Sequence, residues 1–113
     1  MVKNKQALLD IIRAIQQILG YVENIKKEEF QQDDEKQAAI LYRIIIVGEA
    51  TKRLSNEFCQ NYPVIPWREM AGLRDVVIHD YDELDIDILW NVIQINLPDT
   101  LPQLQLIFHS LNT

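Results

Sequence analysis

Leu8, Ile11, Ile12, Ile15, Ile18, Leu19, Val22 and Ile25 recur every three or four residues near the start of the chain. Successive residues of a helix advance about 100° around its axis, so this spacing gathers them into one apolar stripe. Lys5, Arg13, Gln16, Gln17, Glu23 and Lys27 fall on the other side. The pattern predicts a long amphipathic helix from Lys5 to about Lys27, with an outer face of mixed charge unlike that of a membrane helix. Such a stripe has to be buried against other elements. Three glycines in 113 residues are too few for a turn-rich β architecture, and the chain reads as all-α.

The remaining helices follow from the same periodicity and its interruptions. After Phe30 comes a polar stretch, Gln31 to Glu35, in which Asp33 or Asp34 can cap a second helix running from about Asp34 to Phe58. That helix is apolar around most of its circumference from Ile40 to Val47, which predicts a central position. Gly48 lies inside it, where glycine costs about 1 kcal/mol relative to alanine, and a close helix crossing would account for it. Pro63 and Pro66 mark a loop, and Pro66 suits the first turn of a third helical region reaching about Asp80, with Gly72 as its dividing point. Asp82 or Asp85 is expected to cap a fourth helix carrying Ile86, Ile88, Leu89, Val92 and Ile93. Pro98 and Pro102 mark the start of a last one, with Leu104, Ile107, Phe108 and Leu111. The expected architecture is an up-and-down bundle of four to five helices in a single domain, residues 1–113.

Charge and cysteine usage narrow the function. A net charge of −6 and a pI near 4.8 exclude a broad, non-specific nucleic-acid binder, because backbone binding draws on many cations. They are compatible with a small site holding one or two cations, or with an acidic surface that recruits a basic protein. Cys59, the one cysteine, cannot form an internal disulfide and reads as a small buried side chain. No targeting segment or membrane span is visible, and a cytoplasmic protein is expected.

Titratable groups concentrate between Arg74 and Tyr81. On a continuous helix Asp75 and His79 lie about 40° apart, so the carboxylate could orient the imidazole and raise its basicity. Arg74 lies about 140° from His79, within reach of a long guanidinium or of a kink at Gly72. Cleavage of RNA needs few groups, since the ribose 2′-hydroxyl is itself the nucleophile. Histidine can move protons near neutral pH, and arginine can stabilise the charge of a pentacovalent phosphate without a metal or other cofactor. Base and leaving-group acid must act on opposite sides of the phosphorus, which a two-fold dimer supplying two Arg74/His79 pairs would provide.

Arg-x4-His-x-Tyr at Arg74, His79 and Tyr81, preceded by Pro66-Trp67 and Gly72-Leu73, resembles the HEPN domains of the HepT-like toxin group. Phe30 with Asp33, Arg43, Gly48-Glu49-Ala50, Asp85 with Trp90, and Leu97-Pro98 fall in the order and spacing of that group, so the resemblance covers nearly the whole chain. It implies an all-α homodimer acting as a metal-independent endoribonuclease, usually encoded beside a MntA-type nucleotidyltransferase antitoxin that transfers AMP to the motif tyrosine. Carried over, Arg74 and His79 are catalytic, Asp75 is supporting and Tyr81 is the modification site. Arg43 and Glu49 match family positions without an assigned role.

Less specific readings stand beside these. Arg74 could simply pair with Asp75 or Asp80 at the helix end, and Tyr81 could be a half-buried bundle residue. Trp67 and Trp90 are expected to be packing anchors. The acidic run Asp80, Asp82, Glu83, Asp85 and Asp87 lacks the glycine and final glutamate of a calcium loop, so capping and a solvated face explain it better. The alternative function is a non-catalytic nucleotide-binding or interaction module modified by a nucleotidyltransferase.

Overall fold

The computed structural model describes residues 2–79 and 83–111, the side chains of Val2 and His79 excepted. Two twenty-residue helices, α1 (Val2–Tyr21) and α3 (Asp34–Arg53), pack along each other and form the centre of an all-α bundle. Short helices α2 (Lys27–Gln31), α4 (Asn56–Asn61), α5 (Trp67–Ala71) and α6 (Leu73–Val77) fill the connections. The chain ends in a rod formed by α7 (Ile86–Asn91), a π-helical segment (Val92–Asn96) and α8 (Leu97–Leu111), and α8 packs on α1. The stripe on α1 is buried as its spacing requires, with Leu8, Ile11, Ile15 and Ile18 at zero exposure beside Ile40, Ile44 and Val47 of α3. Among the described residues, no helix is long and apolar enough to cross a membrane.

Several boundaries differ from those the periodicity predicts. The first helix stops at Tyr21 rather than near Lys27, because the chain turns through Val22 to Asn24 and Asn24 adopts a left-handed backbone at φ 61°. Asparagine tolerates that conformation better than most residues. Val22 stays buried and Ile25 packs against the core although both lie beyond the helix, so the apolar stripe outlasts the hydrogen-bond ladder. Gln37 then donates to the Phe30 and Gln31 carbonyls, satisfying the end of α2. Of the two candidate caps it is Asp33 that accepts from the Lys36 N–H, at 2.9 Å.

The second helix ends at Arg53, not Phe58. Ser55 caps α4 by accepting from the Phe58 N–H at 3.1 Å, and it is held there by a residue near the start of the chain. The Asn4 side chain accepts from the Ser55 N–H at 3.0 Å and donates to the Ser55 hydroxyl at 3.2 Å. The buried Asn4 amide therefore finds both partners in the break, which ties the start of α1 to the end of α3.

The expected separation of the fourth and last helices is not found, although Pro98 and Pro102 both lie inside α8. A proline removes one amide donor from the ladder, and the chain widens by a turn just before Pro98: the Leu97 N–H donates to the Val92 carbonyl five residues back. The Thr100 hydroxyl donates to the Asn96 carbonyl at 2.9 Å within the same region. The rod passes through the prolines without a loop.

Candidate active site

Gly48 positions the segment that carries Arg74. A Cβ at residue 48 would lie 3.1 Å from the Ala71 carbonyl oxygen, so α3 and the end of α5 approach backbone to backbone. Gly72 then divides the third helical region into α5 and α6, as its sequence position suggests. Trp67 anchors the entry, donating from its indole N–H to the Tyr62 carbonyl at 3.0 Å and packing against Phe58. Trp90 packs against Phe30 with ring centroids 5.2 Å apart. Both tryptophans are thus packing anchors, as the sequence reading has them.

Beyond Gly72 the expected helix to Asp80 is overturned. Helix α6 ends at Val77, and β1 (Ile78–His79) pairs antiparallel with β2 (Glu83–Leu84), Ile78 opposite Leu84 and His79 opposite Glu83. The Asp85 N–H donates to the Val77 carbonyl at 2.7 Å and extends the pairing. Three successive β-branched residues, Val76, Val77 and Ile78, favour extended backbone and weaken the helix at this point. The helical-face geometry for Asp75 and His79 does not apply, because the backbone between them is not helical throughout. Asp75 instead lies beside Arg74, with 3.4 Å between carboxylate and guanidinium. Both groups are exposed, so this contact is worth little in stability.

Arg74 therefore lies on the surface of α6, and His79 lies in the first strand of the ribbon that follows it. Tyr81, with Asp80 and Asp82, lies outside the described residues. Two residues of the acidic run have ordinary roles. Asp85 caps α7 by accepting from the Ile88 N–H at 3.0 Å, and Asp87 pairs with Lys27 at 2.8 Å. Two cations at the end of α3 have carboxylate partners: Lys52 lies 3.8 Å from Glu49, and Arg53 bonds Asp10 at 2.6 Å. Burial pushes the Cys59 thiol upward, which favours the protonated, unreactive form.

An apolar groove of about 290 Å3 opens beside α6. Met70, Leu73 and Val76 line one side of it, and Val92, Leu97 and Thr100 the other. Val76 is 46% exposed although it is one of the large apolar residues of this segment.

Arg43 lies within α3. Its side chain is partly buried, its Nε is shut off from solvent, and that nitrogen has no hydrogen-bond partner among the described residues. The guanidinium lies 5.1 Å from the ring centre of Tyr42. A cation inside the Ile40 to Val47 apolar run is the signal in the sequence that marks this position.

The chain matches the family described as Ribonuclease HepT-like over residues 11–107. It is similar to a protein of Thermococcus cleftensis named "Probable ribonuclease HepT", with 39% identity over 95 residues covering 84% of this chain and 86% of the relative. Over a shorter stretch of 32 residues, 28% of this chain and 24% of the relative, it is 47% identical to the "mRNA nuclease HepT" of Shewanella oneidensis. No solved structure gives a significant match.

Proposed function

Since the chain belongs to the Ribonuclease HepT-like family, we propose that it is a metal-independent endoribonuclease, the toxin of a toxin–antitoxin pair, with Arg74 and His79 as its catalytic residues. The family match over residues 11–107, which takes in the whole stretch from Arg74 to Tyr81, is the observation that carries this proposal. The position of the Arg74 guanidinium, half-exposed on the surface of α6, supports it.

In this mechanism the imidazole of His79 takes the proton from a ribose 2′-hydroxyl, whose oxygen attacks the adjacent phosphorus. The bond to the 5′-oxygen breaks as a proton is delivered to it, leaving a 2′,3′-cyclic phosphate and a 5′-hydroxyl. Arg74 stabilises the charge that accumulates on the phosphoryl oxygens. Asp75, beside Arg74, has a supporting role in orienting the guanidinium. The acid and base come from the two His79 side chains of a homodimer. The apolar groove between α6 and the terminal rod supports such pairing, since a second copy covering it would remove Val76 from water close to Arg74.

The regulatory partner in this proposal is a MntA-like nucleotidyltransferase antitoxin that transfers AMP to Tyr81. A phosphoadenosine group two residues from His79 would bring negative charge and bulk to the place an RNA phosphate must occupy. The test is cleavage of RNA by the unmodified protein in excess EDTA. Wild type should release 2′,3′-cyclic phosphate ends, while Arg74→Ala and His79→Ala, folded as judged by circular dichroism, should lose at least about a hundredfold in rate. Equal cleavage by the His79→Ala variant would refute the assignment. Incubation with the transferase and ATP should add AMP to wild type and not to Tyr81→Phe, read by intact-mass spectrometry.

A further inference from the structure

The ribbon that carries His79 also fixes which residue lies opposite it. Ile78 pairs with Leu84, and His79 with Glu83. The Asp85 N–H bonds the Val77 carbonyl, which marks a hydrogen-bonded position of the ladder. His79 and Glu83, two residues along each strand, occupy the next such position. Residues opposed in this way have Cα atoms about 5.5 Å apart and share one face of the pairing.

Two observations hold that register. Ile78 and Leu84, the other opposed pair, both pack against the hydrophobic core. A slip by one residue would turn one of them out to water. Asp85 pins the chain beyond them, with its N–H on the Val77 carbonyl and its carboxylate on the Ile88 N–H. Successive residues of a strand alternate between faces, so with Ile78 and Leu84 inward, positions 79 and 83 share the outer face. Glu83 is exposed there, and its carboxylate makes no hydrogen bond or ion pair among the described residues. Strands do not favour glutamate, so the local backbone gives no reason for it. The other charged groups on the elements packed against β1 are Arg74 and Asp75 of α6, which contact each other.

We propose that Glu83 is a positioning residue for His79, accepting a hydrogen bond from one nitrogen of the ring and leaving the other to exchange a proton with RNA. This rests on the ribonuclease reading. The carboxylate on β2 takes the part that a continuous helix would have given to Asp75. It selects the tautomer of the ring, and its charge favours the imidazolium that forms when the ring takes the proton of the 2′-hydroxyl. Glu83 itself touches no RNA.

The pairing can be read without RNA, by NMR titration of the His79 ring in the unmodified full chain. His109 is the other histidine, and a His109→Gln background assigns the signals. In Glu83→Gln the His79 midpoint should fall by about half a pH unit, the effect of one opposite charge at about 5.5 Å in water-like surroundings. At pH 7 its kcat on RNA should fall about tenfold with little change in KM, as expected when the group orienting a reactive imidazole is lost. Glu83→Asp keeps the charge and should retain most of both properties. Glu57→Gln removes the same charge from α4 and should change neither. A Glu83→Gln midpoint equal to that of Glu57→Gln would overturn the proposal even if kcat fell, since that combination marks a structural residue. A shifted midpoint with unchanged kcat would overturn it as well. If wild type cleaves RNA and His79→Ala does not, either result removes Glu83 alone and leaves the ribonuclease reading intact. If wild type cleaves no RNA, the ribonuclease reading fails and the role of Glu83 falls with it.

Discussion

Replacing Gly48 by alanine sets two opposed effects against each other at one atom. Alanine in a helix interior is favoured over glycine by about 1 kcal/mol, through the smaller backbone entropy lost on folding. At Gly48 the new methyl would sit 3.1 Å from the Ala71 carbonyl oxygen and 3.7 Å from that of Met70, both backbone atoms. Relief requires α5 to retreat from α3 by a few tenths of an ångström, and overpacking of this kind costs about 1–3 kcal/mol. The net expectation is a loss of about 1 kcal/mol, or about 4 °C in Tm for a domain of this size. Gly20 provides the control, since a Cβ there meets nothing within 4 Å and its backbone has no positive φ. Gly20→Ala, near the end of α1, should gain about 0.5 kcal/mol and raise Tm by about 2 °C. Both variants can be compared with wild type by thermal and urea denaturation. A Gly48→Ala protein stabilised as much as Gly20→Ala would refute the close crossing, and with it the account of how α5 and α6 are held.

Two further effects on stability follow from polar contacts. Asn4→Ala removes both bonds to Ser55 and leaves the Ser55 N–H without its acceptor, so urea denaturation should register a loss of about 2 kcal/mol, against about 0.5 for the neighbouring exposed Lys3→Ala. The hydrogen bond from Arg53 holds the Asp10 carboxyl below its usual value of 3.8. The folded-state pKa is the depressed one, so this pair contributes stability at pH above 3.8 and loses it as pH falls through the lower folded value. Asp10→Asn should flatten the stability–pH curve below pH 4 by less than about 1 kcal/mol, since Arg53 is half-exposed, and a curve of unchanged shape would show the pair to be idle.

The residues that make the bundle are legible because their information is local. The spacing of Leu8, Ile11, Ile15 and Ile18 requires a helix with one buried side wherever that helix ends up. The capping carboxylates Asp33 and Asp85 act within three residues of themselves, and they appear where the sequence offers them. The candidate site was legible as a set of residue types, from Arg74 through His79, but not as a geometry. A period of 3.6 continued past Val77 sets Asp75 and His79 on one face, whereas the β-branched run Val76 to Ile78 and pairing with Glu83 and Leu84, four to six residues further on, turn the chain into a ribbon.

What tertiary structure decided lies where distant residues supply the energy. The break at Ser55 depends on Asn4, fifty-one residues away in sequence. The passage of the terminal rod through Pro98 and Pro102 depends on a π-helical turn and on burial of Leu97 and Leu104, which outweigh a local preference to stop. The unsatisfied nitrogen of Arg43 is also a tertiary fact, because only packing closes water off from it. A side chain's own preferences act over one turn of helix, and its surroundings are composed by the rest of the chain.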